Sequence, residues 1–463
     1  MRLLDVDTFE IQSGYPDQDL TDAKGQLWYE SSKETIHIPK YAILSHRWRK
    51  GEEVKFQDFS SLPKEKLRGF PSRNPVPMDS STKPPQDHND LSSSIYKIAG
   101  ACKQVRETDD QTMRKLWIDT ICVNQGDAQE VSTSINSMFR WYRNAEVCYV
   151  YLFDVSWDFT DPSSSQKRFV KSDWFCRGWT LQELLAPRKI KFFDRDWKYI
   201  GTRDDLVTHI VAATRISAEH LGGAFRSASL GQKMSWLARR TTERIEDRAY
   251  CALGIFGIYL DTRYGNGEEE FMRLQEEIIR SWAKEVPFDE SLFAWRAEQI
   301  ESSGILAPAP GCFRDAGDIM FLPGMAKYRG EQLLAGVKVR GPAMEIDNTG
   351  QMTLMVPCLG YMPAGVAGYL LTFGTAFLLA TVPALVYQAR RKDRDVQLNC
   401  WTKGADGKLH TKKIKMECAN DKRWRRIDCG KLYDSSSTKL YPSAWLSNRF
   451  IRQLKLTDEI KYR

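Results

Sequence analysis

The chain has 463 residues, 42% hydrophobic and 27% charged, a globular composition that excludes a fully disordered or fibrous protein. Its net charge is +7, but residues 389–463 alone carry +11 and the rest −4. The bulk is therefore not a general nucleic-acid binder, and only the tail is basic.

In chain order, residues 1–40 read as a lead-in. Acidic residues stand where a signal peptide needs an apolar run, so a cytoplasmic location is expected. YAILSH at 41–46 reads as a short buried strand. Residues 60–92, rich in Pro, Ser, Lys and Asp, read as a loop or insert. Ile95, Ile98, Ala99, Cys102 and Val105 share helical spacing over 93–107. KLWID at 115–119 is a compact apolar strand. A helix is expected over 129–144, with Ile135, Met138, Phe139 and Tyr142 on one face. VCYVYLFD at 147–154 is the clearest strand, β-branched and aromatic. WTLQELLA at 179–186 reads as a helix ended by Pro187, and KIKFFD at 189–194 as another strand.

Strands alternating with helices imply an α/β domain, a parallel sheet with helices on both faces, over 41–200. A helical extension is expected over 201–296. RIEDRAYCALGIFGIY and EEEFMRLQEEIIRSWA are its best segments, with Phe271, Leu274 and Ile278 on one face of the second. Residues 297–463 read as a mostly β region. Inside it, 365–388 lacks charge and is long enough to span a bilayer, with basic residues directly after. The same stretch also suits buried strands of a β domain. Ten Cys are scattered without CxxC pairs, which argues against structural zinc and a disulfide scaffold. No HExxH is present, so no catalytic metal is expected.

In an open parallel sheet, ligands bind beyond the carboxyl ends of the strands. The residues there are Ser45, His46, Arg47 and Trp48; then Asp119, Cys122 and Gln125; then Arg177, Trp179, Gln182 and Glu183. Each has a bland alternative. Asp119 suits a capping role, and Glu183 suits first-turn helix amides. Cys122 could be a nucleophile with His46 as base, or a small buried thiol. The tryptophans suit a core or a stacking platform. Neither GxGxxG nor GxxxxGK[ST] is present, so a Rossmann or P-loop phosphate site is not supported.

YAILSHRW, LWIDTICVNQ, INSMFRWYRNAEVCYVYLFDV and WFCRGWTLQELLAPRKIKFFDRDW strongly resemble the fungal heterokaryon incompatibility (HET) domain. The match covers 41–195, and KMSWLARRTTERIEDRAYCALGIFGI, GEEEFMRLQEEIIRS and SLFAW extend it to 295. Arg47 and Arg49 depart from the pattern, which usually has a small polar residue and Gly there. The resemblance implies a fungal non-self recognition effector that triggers programmed cell death, an innate-immunity-type role. It also implies a remote likeness to TIR domains, with their flavodoxin-like sheet. Some TIR domains cleave NAD with a rim glutamate. On that analogy Glu183 is catalytic with Asp119, and the other rim residues bind substrate. NAD is then a substrate and no cofactor is expected. The contrasting reading is a non-enzymatic adaptor whose HET domain self-associates or docks a protein partner.

Overall fold

The computed structural model describes residues 1–15, 20–21, 27–30, 35–68, 92–282, 288–300, 302–323, 330–334, 337–341, 393–405, 407–418 and 424–435. The chain forms two compact units. The first comprises Met1–Ala228 and Ser235–Leu274, the second Ser229–Met234 and Gln275–Arg463.

The first unit is built on a seven-stranded sheet. Its strands are β1 (Leu3–Asp5), β2 (Ile11–Gln12), β3 (Tyr41–His46), β4 (Lys115–Trp117), β5 (Val147–Tyr151), β6 (Ile190–Phe193) and β7 (Tyr199–Thr202). Their spatial order is β7-β6-β5-β3-β4-β1-β2. The four central strands are parallel. β7, β1 and β2 add antiparallel edges. The sheet expected from the sequence is therefore present but mixed. The added strands are two to four residues long, too short to leave a periodic signal. Residues 1–40 are thus partly sheet, and 20–37 also hold a small three-stranded sheet.

The crossover helices are α1 (Ser92–Arg106) and α2 (Ala128–Asn144); α3 (Pro162–Val170) and α4 (Thr180–Leu185) lie between β5 and β6. From β3 the chain steps to β4 on one side, then back past β3 to β5 on the other. Right-handed crossovers in opposite directions place α1 and α2 on opposite faces. They also create a switch point between β3 and β5, where ligands bind in such sheets.

Local chemistry explains the elements. β3 and β5 are buried at every residue, as central parallel strands are. Asp127 caps α2 by accepting the Gln129 and Glu130 amides. α2 buries Ile135, Phe139 and Tyr142 as expected, whereas Met138 is only half-buried. The KLWID strand ends at Trp117, and Asp119 opens a one-turn helix to Cys122.

The extension is helical but more broken than its periodicity suggests. RIEDRAYCALGIFGIY forms two four-residue helices, Asp247–Tyr250 and Leu253–Phe256. Gly257 ends the second in the left-handed region, φ 66°. Phe271, Leu274 and Ile278 are buried on the helix Glu269–Trp282. Close packing fixes Gly254, since a Cβ there would lie 2.1 Å from the Phe139 Cβ. That atom is rooted in α2 and cannot rotate away. Gly254→Ala is expected to destabilise the first unit by about 2–3 kcal/mol, read as a lower urea midpoint; an unchanged midpoint would refute this packing.

The second unit is largely β among its described residues. Leu409–Cys418 pairs antiparallel with Asp393–Lys403, Trp424–Ile427 and Tyr433–Ser435. Arg426 is fully buried and donates to the Phe293 and Trp295 carbonyls at 3.0 and 2.6 Å. Its guanidinium lies 4.0 Å from the Trp295 ring centroid. Among the described residues no helix is long and apolar enough to cross a membrane. The apolar stretch 365–388 lies outside the described residues, as does most of the insert at 60–92.

Candidate functional site

Ser45 and His46 end β3, the strand flanked by β4 and β5. At this end they pair with β5 alone, opposite Val150 and Tyr151, and both are less than a tenth exposed. The Ser45 hydroxyl donates to Glu183 Oε2. Trp174, on the turn Asp173–Cys176, donates its indole N–H to Ser45 Oγ at 2.8 Å. Glu183 comes from α4, whose six residues are all buried. The approach to α4 needs Gly178: a Cβ there would meet the Thr242 side chain at 2.6 Å and Cys251 Sγ at 3.0 Å. Arg240 ties the approach down, donating to the Arg177 carbonyl and Thr180 Oγ1 at 2.8 and 2.9 Å.

Glu183 is 4% exposed. Burial pushes its carboxyl up from an ordinary 4.5 to about 8. The Asp119 charge adds to the rise, while Ser45, Tyr142 and Arg240 oppose it.

A second group sits beside β3. Trp48 donates to Asp119 Oδ2 at 2.6 Å. His46 Nε2 lies 3.7 Å from Asp119 Oδ1 and 3.8 Å from Glu53 Oε2. Burial pushes Asp119 up to about 7, with Glu53 also raising it. Burial, then the Lys97 charge, holds the imidazole well below its usual value, so His46 is neutral. Beneath lies a buried ion pair: Lys97 Nζ donates to both Glu53 oxygens at 2.7 and 2.6 Å. Glu53 also accepts the Arg49 amide at 2.9 Å, fixing the loop that carries Trp48.

The remaining residues expected on the rim have separate attachments. Arg47 pairs with Asp173. The Gln125 side chain donates to the Asp119 and Thr120 carbonyls at 3.0 and 3.3 Å. Arg177 pairs with Glu243 at 3.3 Å, and Trp179 donates to Asp247 at 3.2 Å. Cys122 Sγ accepts the Ile118 amide at 3.4 Å, and burial pushes its thiol up to about 12. A thiolate nucleophile needs the opposite shift. Gln182 is buried on α4.

The structure therefore gathers Ser45 with Glu183, and His46 and Trp48 with Asp119. Gln125 braces Asp119 from its main chain, whereas Cys122, Arg177 and Trp179 are engaged elsewhere. Sequence reading missed Glu53, Lys97, Trp174 and Arg240. Lys97 had a signal: Ser94, Lys97, Ile98 and Ala101 fall on one helical stripe, so a lysine stands in a core position. Glu53 is one more charge in a charged loop and had none.

Several buried polar atoms here have no hydrogen-bond partner among the described residues: both His46 ring nitrogens, Asp119 Oδ1, Thr120 Oγ1, Gln182 Nε2 and Arg240 Nη2. Such atoms are costly and uncommon in folded proteins. No group of three or more His, Cys, Asp or Glu among the described residues is arranged to hold a metal ion.

Residues 41–163 match the family model described as Heterokaryon incompatibility protein (HET). The match takes in β3, β4 and β5, three of the four parallel central strands, and agrees with the resemblance of the motifs. The chain is also 37% identical over 247 residues to Vegetative incompatibility protein HET-E-1 of Podospora anserina. That similarity covers 52% of this chain and 16% of the relative's length. No solved structure matches the chain. The family match takes in Ser45, His46, Arg47, Trp48, Asp119, Cys122 and Gln125, and stops before Arg177, Trp179, Gln182 and Glu183.

Proposed function

We propose that this protein acts in heterokaryon incompatibility as a cytoplasmic effector, and that its HET domain triggers cell death on non-self recognition. We further propose that the domain is TIR-like and hydrolyses NAD. The observation that carries the enzymatic reading is a buried carboxyl, Glu183, hydrogen-bonded by Ser45 beside the β3/β5 switch point. In its ionised form Glu183 would engage the nicotinamide ribose and stabilise the oxocarbenium-like transition state, as carboxylates do in glycoside cleavage. The C1′–N bond breaks, its electron pair leaves with nicotinamide, and water adds at C1′ with loss of a proton. Asp119 and its neighbours would shape the pocket. A cationic nicotinamide ring beside Glu183 favours the carboxylate over the protonated form.

The adaptor reading also has a specific observation in its favour. Glu183 is almost fully enclosed and its pKa is near 8, as suits a protonated structural carboxyl. In that reading the domain self-associates or docks a protein partner, and the carboxyl holds α4 to β3. Expression of the full chain in a fungal host, following viability and cellular NAD together, separates the two. Death with early NAD loss, both abolished by Glu183→Gln, is the expected outcome. Death with NAD intact until late would refute hydrolysis and support the adaptor.

A further inference from the structure

The loop after β3 carries two guanidinium groups to one aromatic ring. Arg47 and Arg49 lie 6.0 and 5.5 Å from the centroid of Phe153, on the loop after β5. This places both cations across the switch point, where an open parallel sheet binds its ligand. Two like charges converging on one ring repel each other unless anions hold them. Here acids of the chain do so: Arg47 pairs with Asp173, and Arg49 with Glu52 at 2.8 Å. The Asp173 backbone is pinned, its amide donating to Asp154 Oδ2 at 2.7 Å, while Ser172 Oγ donates to Asp154 Oδ1 at 2.8 Å. Its own carboxylate is 55% exposed and Arg47 is 32% exposed. Exposed ion pairs are weak, so a stronger anion can displace this one. Guanidinium forks match phosphate oxygens in two-bond geometry.

We propose that Arg47, Arg49 and Phe153 form a subsite for the diphosphate of a nucleotide, and that Asp173 occupies Arg47 until that ligand arrives. The proposal rests on the nucleotide reading above and adds the group recognised and the internal competitor. Asp173 is an autoinhibitory contact: the subsite opens when Arg47 exchanges a carboxylate for a phosphate.

The test is calorimetric titration of the full chain with ADP-ribose, inorganic pyrophosphate and nicotinamide riboside. Asp173→Asn is expected to tighten ADP-ribose binding about threefold. Arg47→Gln is expected to weaken it about tenfold, and Asp173→Asn should then have no effect in the Arg47→Gln background. Arg49→Gln is expected to weaken it as well, and serves if Arg47→Gln does not fold. Nicotinamide riboside, which lacks phosphate, should not respond to any of these changes. Equal ADP-ribose affinity for Asp173→Asn and the parent would overturn the proposal. So would a gain that persists without Arg47, which would reflect general field rather than exchange. Pyrophosphate binding as tightly as ADP-ribose would overturn the nucleotide assignment. Nicotinamide release from NAD in the same samples keeps the two readings apart. Binding with the predicted pattern but no release removes the hydrolase and leaves the subsite. Release with unaltered binding does the reverse.

Discussion

Lys97→Met is expected to lower unfolding stability by about 3–5 kcal/mol, and Glu53→Gln added to it should recover more than half of that loss. Both side chains are almost fully enclosed, 6% and 5% exposed. Each supplies the other's counter-charge, and burial already lowers the Lys97 pKa. Removing the ammonium leaves a carboxylate in a medium that solvates it poorly, with the Arg49 amide and Ser94 hydroxyl as its remaining donors. Neutralising the carboxylate as well removes most of the penalty, since a buried pair is costly to break but cheap to replace whole. Urea melts of the single and double variants read the loss and its recovery. A Lys97→Met variant within 1 kcal/mol of the parent would show that the pair is not a buried ion pair.

This pair also shows what the sequence could disclose. β3, α1, α2, β5 and α4 were legible because each has a sustained pattern: a buried apolar run, a 3.6-residue stripe or a β-branched segment. β1, β2 and β7 were not, since two to four residues cannot show a period, and β1 joins the sheet through β4, far along the chain. The break between the helices Asp247–Tyr250 and Leu253–Phe256 leaves no mark in the sequence, because Ala252 and Gly254 continue the apolar run while the backbone turns between the helices. At the site, strand ends pointed to Ser45, His46 and Asp119. They could not show that Ser45 holds Glu183, a contact 138 residues apart in sequence. Nor could they show Trp174 completing it, because a tryptophan in a mixed segment reads as core.

Glu183→Gln should move stability and activity in opposite directions. The folded-state pKa of about 8 lies above the ordinary 4.5, so the native state holds this proton more tightly than the unfolded chain. The stabilisation is fully present below about pH 4.5 and is lost as pH rises through about 8. Glutamine keeps the shape, still accepts from Ser45 and has no proton to lose. The variant is therefore expected to be more stable than the parent at pH 8, by on the order of 1–3 kcal/mol, with the gap closing toward pH 5. Thermal melts across that range read the gap, and a gap that widens on acidification would refute the raised pKa. Nicotinamide release, if Glu183 acts as a carboxylate, should fall by about 100-fold or more in the variant. In the parent it should rise with pH through about 8 as the carboxyl ionises. Gained stability with lost activity places the cost of a buried, ionisable carboxyl on function. Gained stability with cell death intact would leave Glu183 as a proton-bearing strut between α4 and β3.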